Sequence, residues 1–294
     1  MGRDLFAGSP AARRLFETAD GVLGYSLSDL CFEGPAERLQ ETQHAQPAIF
    51  TMSLACLEAA REQGGLDGAV FVAGHSLGEF SALIAAGALE FEEGLRLVQE
   101  RGRLMQETAD TNPGAMAAIL GLDEEAVRAV CEQTGAEVCN FNAPGQIVIG
   151  GSEQAIAAAL PLALERGAQR GVRLKVSGAF HTSLMLAARE GMARAVAQAP
   201  LRDPQVPIIA NTSAQPLTKA GELREELVEQ MTRPVQWQRS VETLREQGVS
   251  AVIEFGPGRV LSSLVRRIDR SIAVRNVSGM PGAVASATPA PPPP

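Results

Sequence analysis

Histidine is scarce, at three in 294 residues, and tryptophan and tyrosine occur once each. The four cysteines, Cys31, Cys56, Cys131 and Cys139, are scattered without a C-x-x-C pair or a neighbouring histidine. That spacing indicates neither a zinc site nor a disulfide framework, so no metal is expected and the thiols read as reduced and mostly buried. No apolar run reaches membrane-spanning length, and the chain opens with Arg3, Asp4, Arg13 and Arg14 in place of an apolar signal core. Positive charge is short too: a net charge of −8 argues against a phosphate-binding surface and hence against a nucleic-acid partner. What these absences leave is a cytoplasmic globular enzyme, ordinary in its 45% hydrophobic and 20% charged residues and long enough for one large domain or two smaller ones.

The stretch that organises the chain is Gly74-His75-Ser76-Leu77-Gly78, between an apolar run, Ala69 to Ala73, and a helix-favouring run, Glu79 to Ala86. Strand, sharp turn and helix in that order make a nucleophile elbow, in which small residues relieve crowding and the serine hydroxyl is left exposed at the strand's end. Ser76 is therefore the candidate nucleophile. The following helix points its N-terminal dipole and free N–H groups at the same place, which makes the Leu77 amide a candidate oxyanion donor. The pattern is short, and on its own it leaves open an idle serine in a glycine-rich turn.

Helical spacing runs from Pro10 to Asp20 and on to Leu30, breaking at Gly34-Pro35. A second helix is expected from Gln46-Pro47 through Gln63, with Pro47 in its first turn and Ile49, Met52, Ser53 and Cys56 along one face. A third, Phe91 to Thr108, puts Leu97, Val98, Leu104 and Met105 on one face together with Arg101, while Arg96, Gln99, Glu100, Arg103 and Glu107 share the other. A guanidinium on an apolar face needs an anion opposite it. An internal Asp or Glu and a carboxylate on a substrate both satisfy that need.

From Ala115 to Val176 the order is strand (Ala115 to Leu120), helix (Asp123 to Thr134), strand (Glu137 to Asn142), strand (Gln146 to Gly150), helix (Ser152 to Arg166) and strand (Val172 to Val176), the ferredoxin-like sequence of elements. Asn112-Pro113-Gly114 and Ser177-Gly178 punctuate its ends, which suggests an insertion into a larger body. The larger body resumes with a strand (Val206 to Ala210), helices (Glu222 to Met231 and Val241 to Gln247), a strand (Val249 to Phe255) and a helix (Val260 to Ile268). The expected fold is α/β: a hydrolase-like core with a parallel sheet and nucleophile elbow, residues 1–112 and 177–278, plus an inserted ferredoxin-like β-α-β-β-α-β subdomain, residues 113–176. Residues 279–294, rich in alanine and proline, are expected to form a disordered tail.

With three histidines the search for a base is short. His75 precedes the nucleophile and should project away from it, and His44 lies well upstream. His181, in the loop Gly178-Ala179-Phe180-His181, follows the serine in the chain order that elbow enzymes use. A surface histidine is the plain alternative.

Gly74-His75-Ser76-Leu77-Gly78-Glu79-Phe80, Arg101-Gly102-Arg103-Leu104-Met105-Gln106, Asn140-Phe141-Asn142-Ala143-Pro144-Gly145-Gln146, Phe180-His181-Thr182, Pro234-Val235-Gln236-Trp237 and Glu254-Phe255-Gly256-Pro257-Gly258 together resemble the malonyl-CoA:acyl-carrier-protein transacylases of fatty acid and polyketide synthesis. The resemblance runs from Met1 to about Ile272. It implies ping-pong acyl transfer: Ser76, deprotonated by His181, takes malonyl from coenzyme A and yields it to the phosphopantetheine thiol of acyl carrier protein, with no bound cofactor. In the family the histidine is oriented by a backbone carbonyl, and the matching position is Gln230. The family's arginine on the third helix binds malonate's free carboxylate, which maps to Arg101. Asn142 matches an active-site asparagine, with a purely hairpin role as the alternative. Phe180 resembles the malonyl-selective form in related polyketide acyltransferases, with a core role as the alternative.

The basic clusters Arg166-Arg170-Arg173-Lys175 and Arg266-Arg267-Arg270 read as solvated faces or as a surface steering an acidic carrier protein. Family members begin with a strand and a Gly-Gln-Gly-Ser-Gln loop carrying a second oxyanion donor, whereas this sequence opens in the segment that follows it. Either the true start is expected upstream or the catalyst is impaired. The competing readings are a serine hydrolase such as a thioesterase, which needs a carboxylate behind its histidine, and a catalytically weak carrier-binding subunit.

Overall fold

The computed structural model of the chain describes residues 1–64 and 68–280. The tail expected from 279 lies, from 281 onward, outside the described residues. Helices lead: α1 (Arg3–Gly8), α2 (Pro10–Leu23), α3 (Leu27–Glu33) and α4 (Ala36–Gln40) come before α5 (Thr42–Glu62). Ser9 caps α2 by accepting from the Ala12 N–H, Pro10 occupies the first turn, and Gly24 closes the helix in the left-handed conformation. α5 starts ahead of the Gln46-Pro47 pair, so Pro47 sits inside the helix rather than in its first turn. The early start is set by tertiary packing. A Cβ on Gly102 would lie 3.0 Å from the Gln43 Cα and 3.2 Å from the Thr42 carbonyl oxygen, so the extra turn packs tightly over this glycine. Of the expected face, Met52 and Cys56 are buried and Ser53 is half-buried, whereas Ile49 is exposed; Phe50, Leu54 and Ala55 are buried in addition.

The elbow strand β1 is two residues long, Val72–Ala73, and is followed by α6 (Gly78–Ala85) and α7 (Phe91–Thr111). Val70, expected in this strand, is exposed outside it. Next come β2 (Ala115–Leu120), α8 (Glu124–Thr134), β3 (Glu137–Ala143), β4 (Gln146–Gly151), α9 (Glu153–Glu165) and β5 (Arg170–Arg173). Asp123 and Ser152 cap α8 and α9 through their side chains. The four strands form one antiparallel sheet in the order β3-β4-β2-β5. β5 lies two residues before its expected start, because its register is set by pairing of Arg170 with Leu120 and Arg173 with Ala117.

Past a 3-10 turn at Ser183–Met185, the chain forms α10 (Leu186–Gln198), which the sequence pattern did not place. The remainder is β6 (Ile208–Ile209), β7 (Pro216–Leu217), α11 (Ala220–Glu229), α12 (Trp237–Glu246), β8 (Ala251–Phe255), α13 (Val260–Ile268) and β9 (Ala273–Val277). β1 pairs in parallel with β6, and β8 in parallel with β9.

The main apolar core joins α2, α5, α6, α7 and α10, through residues such as Phe16, Phe50, Phe80, Leu95 and Met192. A second core, with Ile119, Val127, Ile149 and Ile156, fills the space between the four-stranded sheet and α8 and α9. A third, with Ala143, Val235, Trp237, Val241 and Leu264, joins the end of β3 to α12 and α13. The segment at Val235 and Gln236 stitches the parts together. Val235 N–H donates to Cys139 O at 2.9 Å, Phe141 N–H to Val235 O at 2.9 Å, and Gln236 N–H to Asn211 O at 2.7 Å.

Candidate active site

With β1 so short, the elbow is held by side chains as much as by a sheet. Ser76 stands at φ 52°, a left-handed conformation costly for a residue with a Cβ. Asn211, on the loop after β6, holds it there: the Ser76 N–H donates to Asn211 Oδ1 at 2.6 Å, and Asn211 Nδ2 donates to Gly74 O at 2.7 Å. Gly74 is required by close approach, since a Cβ on it would lie 1.9 Å from the Gly78 carbonyl carbon. Leu77 and Gly78 begin α6, and Gly78, Glu79 and Phe80 N–H groups bond back to His75, Ser76 and Leu77 carbonyls. Leu77 N–H takes no part in these turn bonds and sits at the positive end of the helix dipole.

His181, also at positive φ (62°), is buried and places Nε2 2.7 Å from Ser76 Oγ. Its Nδ1 lies 2.6 Å from the Gln230 backbone oxygen. A carbonyl only accepts, so the proton is on Nδ1 and the Nε2 lone pair faces the serine hydroxyl. Burial, then the Arg101 cation, lower the His181 pKa to about 3, against a smaller opposing effect from the Gln230 bond. At neutral pH the imidazole is uncharged and free to accept a proton.

Arg101, from the middle of α7, is 1% exposed. Its Nη2 donates to Ser76 Oγ at 3.0 Å and to Gln230 Oε1 at 2.9 Å, and its Nη1 to Gln46 Oε1 at 2.5 Å. Its Nε is buried without a partner, and its guanidinium carbon stands 5.4 Å from the centre of the Phe80 ring. Burial lowers its pKa to about 10, which leaves it charged at neutral pH. All its hydrogen-bond partners are neutral, which is unusual for a buried cation. The nearest negative influence on it is Glu79, reached through Gln230.

The remaining candidates divide. Asn142, at the end of β3, places Oδ1 2.8 Å from His75 Nε2, and His75 packs on Trp237 with ring centroids 5.7 Å apart. Asn142 thus contacts His75, the neighbour of Ser76, rather than Ser76 itself. Phe180 is half-buried against Met116, Cys139 and Val148. His44 packs instead on Tyr25, at the start of α5. The four cysteines are buried and unpaired, and no cluster of metal-ligating side chains exists among the described residues. In the basic clusters Arg173 pairs with Glu153 and Arg267 donates to Gln146.

Sequence reasoning assigned no role to Gln46, Asn211 or Glu79. Each is a buried polar residue tied to the site by contacts with distant segments, so spacing carried no signal for Gln46 or Asn211. Glu79 had one: an acid next to the elbow, on a helix whose neighbours Phe80, Ala82 and Leu83 are all apolar.

Residues 1–284 match the acyl transferase domain family. The malonyl CoA-acyl carrier protein transacylase of Bacillus subtilis is 44% identical, over 95% of this chain and 89% of its own length. Among solved structures, the malonyl CoA-acyl carrier protein transacylase of Coxiella burnetii superposes with a TM-score of 0.91 at 37% identity, covering 94% of this chain and 89% of that one. A malonyl transacylase in complex with its type II polyketide synthase acyl carrier protein gives 0.90 at 38% identity, covering 94% and 90%. No helix among the described residues is long and apolar enough to cross a membrane.

Proposed function

Because the chain belongs to the acyl transferase domain family, with close relatives named as malonyl CoA-acyl carrier protein transacylases, we infer that it transfers malonyl from malonyl-CoA to acyl carrier protein, for fatty acid or polyketide synthesis. The observation that carries this reading is Arg101, a buried cation with only neutral partners, 3.0 Å from the Ser76 hydroxyl. A malonyl group on Ser76 supplies the carboxylate that the cation lacks.

In the first half-reaction, Ser76 Oγ attacks the malonyl thioester carbon while its proton passes to His181 Nε2. The carbonyl oxygen becomes an oxyanion beside the Leu77 N–H. The C–S bond then breaks and the proton on Nε2 goes to the departing coenzyme A sulfur, leaving malonyl-serine. In the second, the carrier's phosphopantetheine thiol gives its proton to Nε2 and its sulfur attacks the ester. Ser76 leaves and takes that proton back. The Gln230 carbonyl holds Nδ1–H throughout, so a backbone oxygen fills the place of a triad carboxylate. Pairing of the malonyl carboxylate with Arg101 also removes the cation's share of the pKa depression at His181, so the correct substrate strengthens the base.

Two features of the chain's layout belong to the same proposal. Residues 113–176 are read as a ferredoxin-like subdomain with its own core, inserted into a hydrolase-like body formed by 1–112 and 177–278. Phe180 is read as the residue that crowds an α-branched acyl group, and Asn142 as the one that fixes His75 beside the nucleophile.

Intact mass after mixing with malonyl-CoA tests the reading. One malonyl adduct is expected, absent from Ser76→Ala, and an adduct that survives this substitution would sink the mechanism. Arg101→Ala should lower malonyl loading about 10²–10³-fold, from two lost charged hydrogen bonds worth about 1.5–3 kcal/mol each. Acetyl loading should not fall with it.

A further inference from the structure

Beneath the elbow lies a carboxylate that the transfer mechanism does not use. Glu79, in the first turn of α6, is 1% exposed and bonds on both oxygens: Oε1 accepts from the Asn211 backbone N–H at 2.9 Å, and Oε2 accepts from Gln230 Nε2. The Gln230 side chain, fully buried, is in turn held at both ends. Its Nε2 faces Glu79 Oε2 and, at 3.4 Å, the Ser76 carbonyl, while its Oε1 faces Arg101 Nη2 at 2.9 Å. We propose that Glu79 is a positioning residue for acyl recognition: as an acceptor it fixes which way the Gln230 carboxamide points, and so turns a hydrogen-bond acceptor toward Arg101 and holds that cation against the Ser76 hydroxyl. This rests on the reading of Arg101 as the partner of the acyl carboxylate.

Donors and acceptors decide the orientation. An amide has a donor end and an acceptor end, and nothing in its own shape prefers one orientation. Here two acceptors, a carboxylate and a carbonyl, flank one end, and a guanidinium that can only donate flanks the other. Turning the amide over would set three oxygens together and point its NH2 at a cation. Glu79 is thereby the hub of both halves of the site. Through Asn211 it reaches the Ser76 N–H and Gly74 O, and through Gln230 it reaches Arg101, while the Gln230 backbone holds His181. Burial, followed by the neighbouring Glu226, raises its pKa, and the bonds from Gln230 and Asn211 oppose that rise. A buried carboxyl is retained at that cost where its acceptor character is needed.

Glu79→Gln separates the two halves. The Asn211 backbone N–H cannot turn, so the new amide keeps its oxygen there and presents its NH2 to Gln230. Gln230 must then either face a donor with a donor or turn over and deprive Arg101 of its acceptor. The elbow clamp through Asn211 is untouched. Single-turnover loading of Ser76 by malonyl-CoA should fall about 10–100-fold in Glu79→Gln, the worth of one hydrogen bond to a charged group, while loading by acetyl-CoA changes little. Gln230→Leu, which keeps the backbone carbonyl on His181, should reproduce that selective loss. In the double variant the two losses should not multiply, because both act on one relay. Unchanged malonyl loading, an equal fall for malonyl and acetyl, or losses that multiply would each overturn the proposal. If Glu79→Gln fails to fold, Gln230→Leu decides by the same malonyl-to-acetyl comparison. Arg101→Ala, run beside them, tells the two claims apart: if it does not separate malonyl from acetyl, the reading of Arg101 fails, and if it does while Glu79→Gln does not, only the role of Glu79 fails.

Discussion

His181 shows how much a single residue's surroundings decide. An ordinary histidine changes charge near pH 6.5, but burial and the Arg101 cation bring this one to about 3. The native imidazole refuses a proton that the unfolded chain accepts below pH 6.5, so its contribution to stability is present above that value and is lost as pH falls, by roughly 1.4 kcal/mol per pH unit. His44 and His75 are also lowered, chiefly by burial, and act in the same direction. Activity and stability should therefore part company. The rate of Ser76 acylation by malonyl-CoA, measured in single turnover, should stay flat as pH falls from 8 through 6.5, while the denaturation midpoint falls below 6.5. A half-loss of acylation near 6.5 would mean that His181 titrates normally and that burial and Arg101 do not hold it neutral. The same scale shows what sequence can carry. Arg101 was legible because one cation on an otherwise apolar helix face is a local conflict, visible in periodicity alone. His181 was legible because three histidines leave few choices. Asn211 and Gln46 were not, because the contacts that tie them to the site reach residues more than fifty positions away, Ser76 for Asn211 and Arg101 for Gln46, and Glu79 left only the local sign of an acid on an apolar helix, its partner Asn211 being as distant.

At the scale of elements, the elements of the four-stranded sheet were readable to within a residue or two, apart from β5. The short apolar runs of β2 and β4 and the side-chain caps Asp123 and Ser152 are local signals, and local signals survive in sequence. β1 and β6 were overdrawn, since each pairs over only two residues. α10 was missed because its alanines and glycine give a weak apolar stripe, Ala188, Gly191, Met192 and Val196, that becomes a face only against Leu104 of α7. The elbow is where an element most depends on one residue. Gly74 lies so close to Gly78 that a Cβ would stand 1.9 Å from its carbonyl carbon and 2.0 Å from its oxygen. Both atoms belong to backbone and cannot swing aside. Gly74→Ala should therefore force the turn open, move Ser76 away from His181, and abolish loading by malonyl and acetyl alike, with a lower denaturation midpoint. Gly78→Ala is the control, since its Cβ would meet nothing within 4 Å. If Gly74→Ala loads malonyl normally, the turn tolerates opening and the close approach is not what positions the nucleophile.

For the whole molecule, the question is what keeps three apolar cores in one arrangement around a single hydroxyl. Ser76 lies in the turn before α6 and Arg101 on α7, Asn142 on the edge strand of the four-stranded sheet, and Trp237, which packs on His75, in the third core. The sheet is joined to the rest through the outer side of β3, where Val235 N–H donates to Cys139 O and Val235 O accepts from the Phe141 N–H. The next residue, Gln236, donates to Asn211 O, and Asn211 clamps the elbow. A line of contacts thus runs from the sheet to Ser76 through three buried residues, Val235, Gln236 and Asn211. Val235→Pro removes its N–H, leaves the Cys139 carbonyl without that donor, and stiffens a segment already fixed by Pro234. The loss should be on the order of 1–3 kcal/mol, the cost of an unmet buried acceptor. Because the damage lies in the docking of the sheet and not in the recognition of the carboxylate, malonyl and acetyl loading should fall together, in contrast to Arg101→Ala. Hydrogen exchange at Phe141, whose N–H depends on the same strand contact, should speed up while amides within α7 keep their protection. A malonyl-specific loss with slow exchange at Phe141 would place Val235 in acyl recognition and remove it from the joint between the cores.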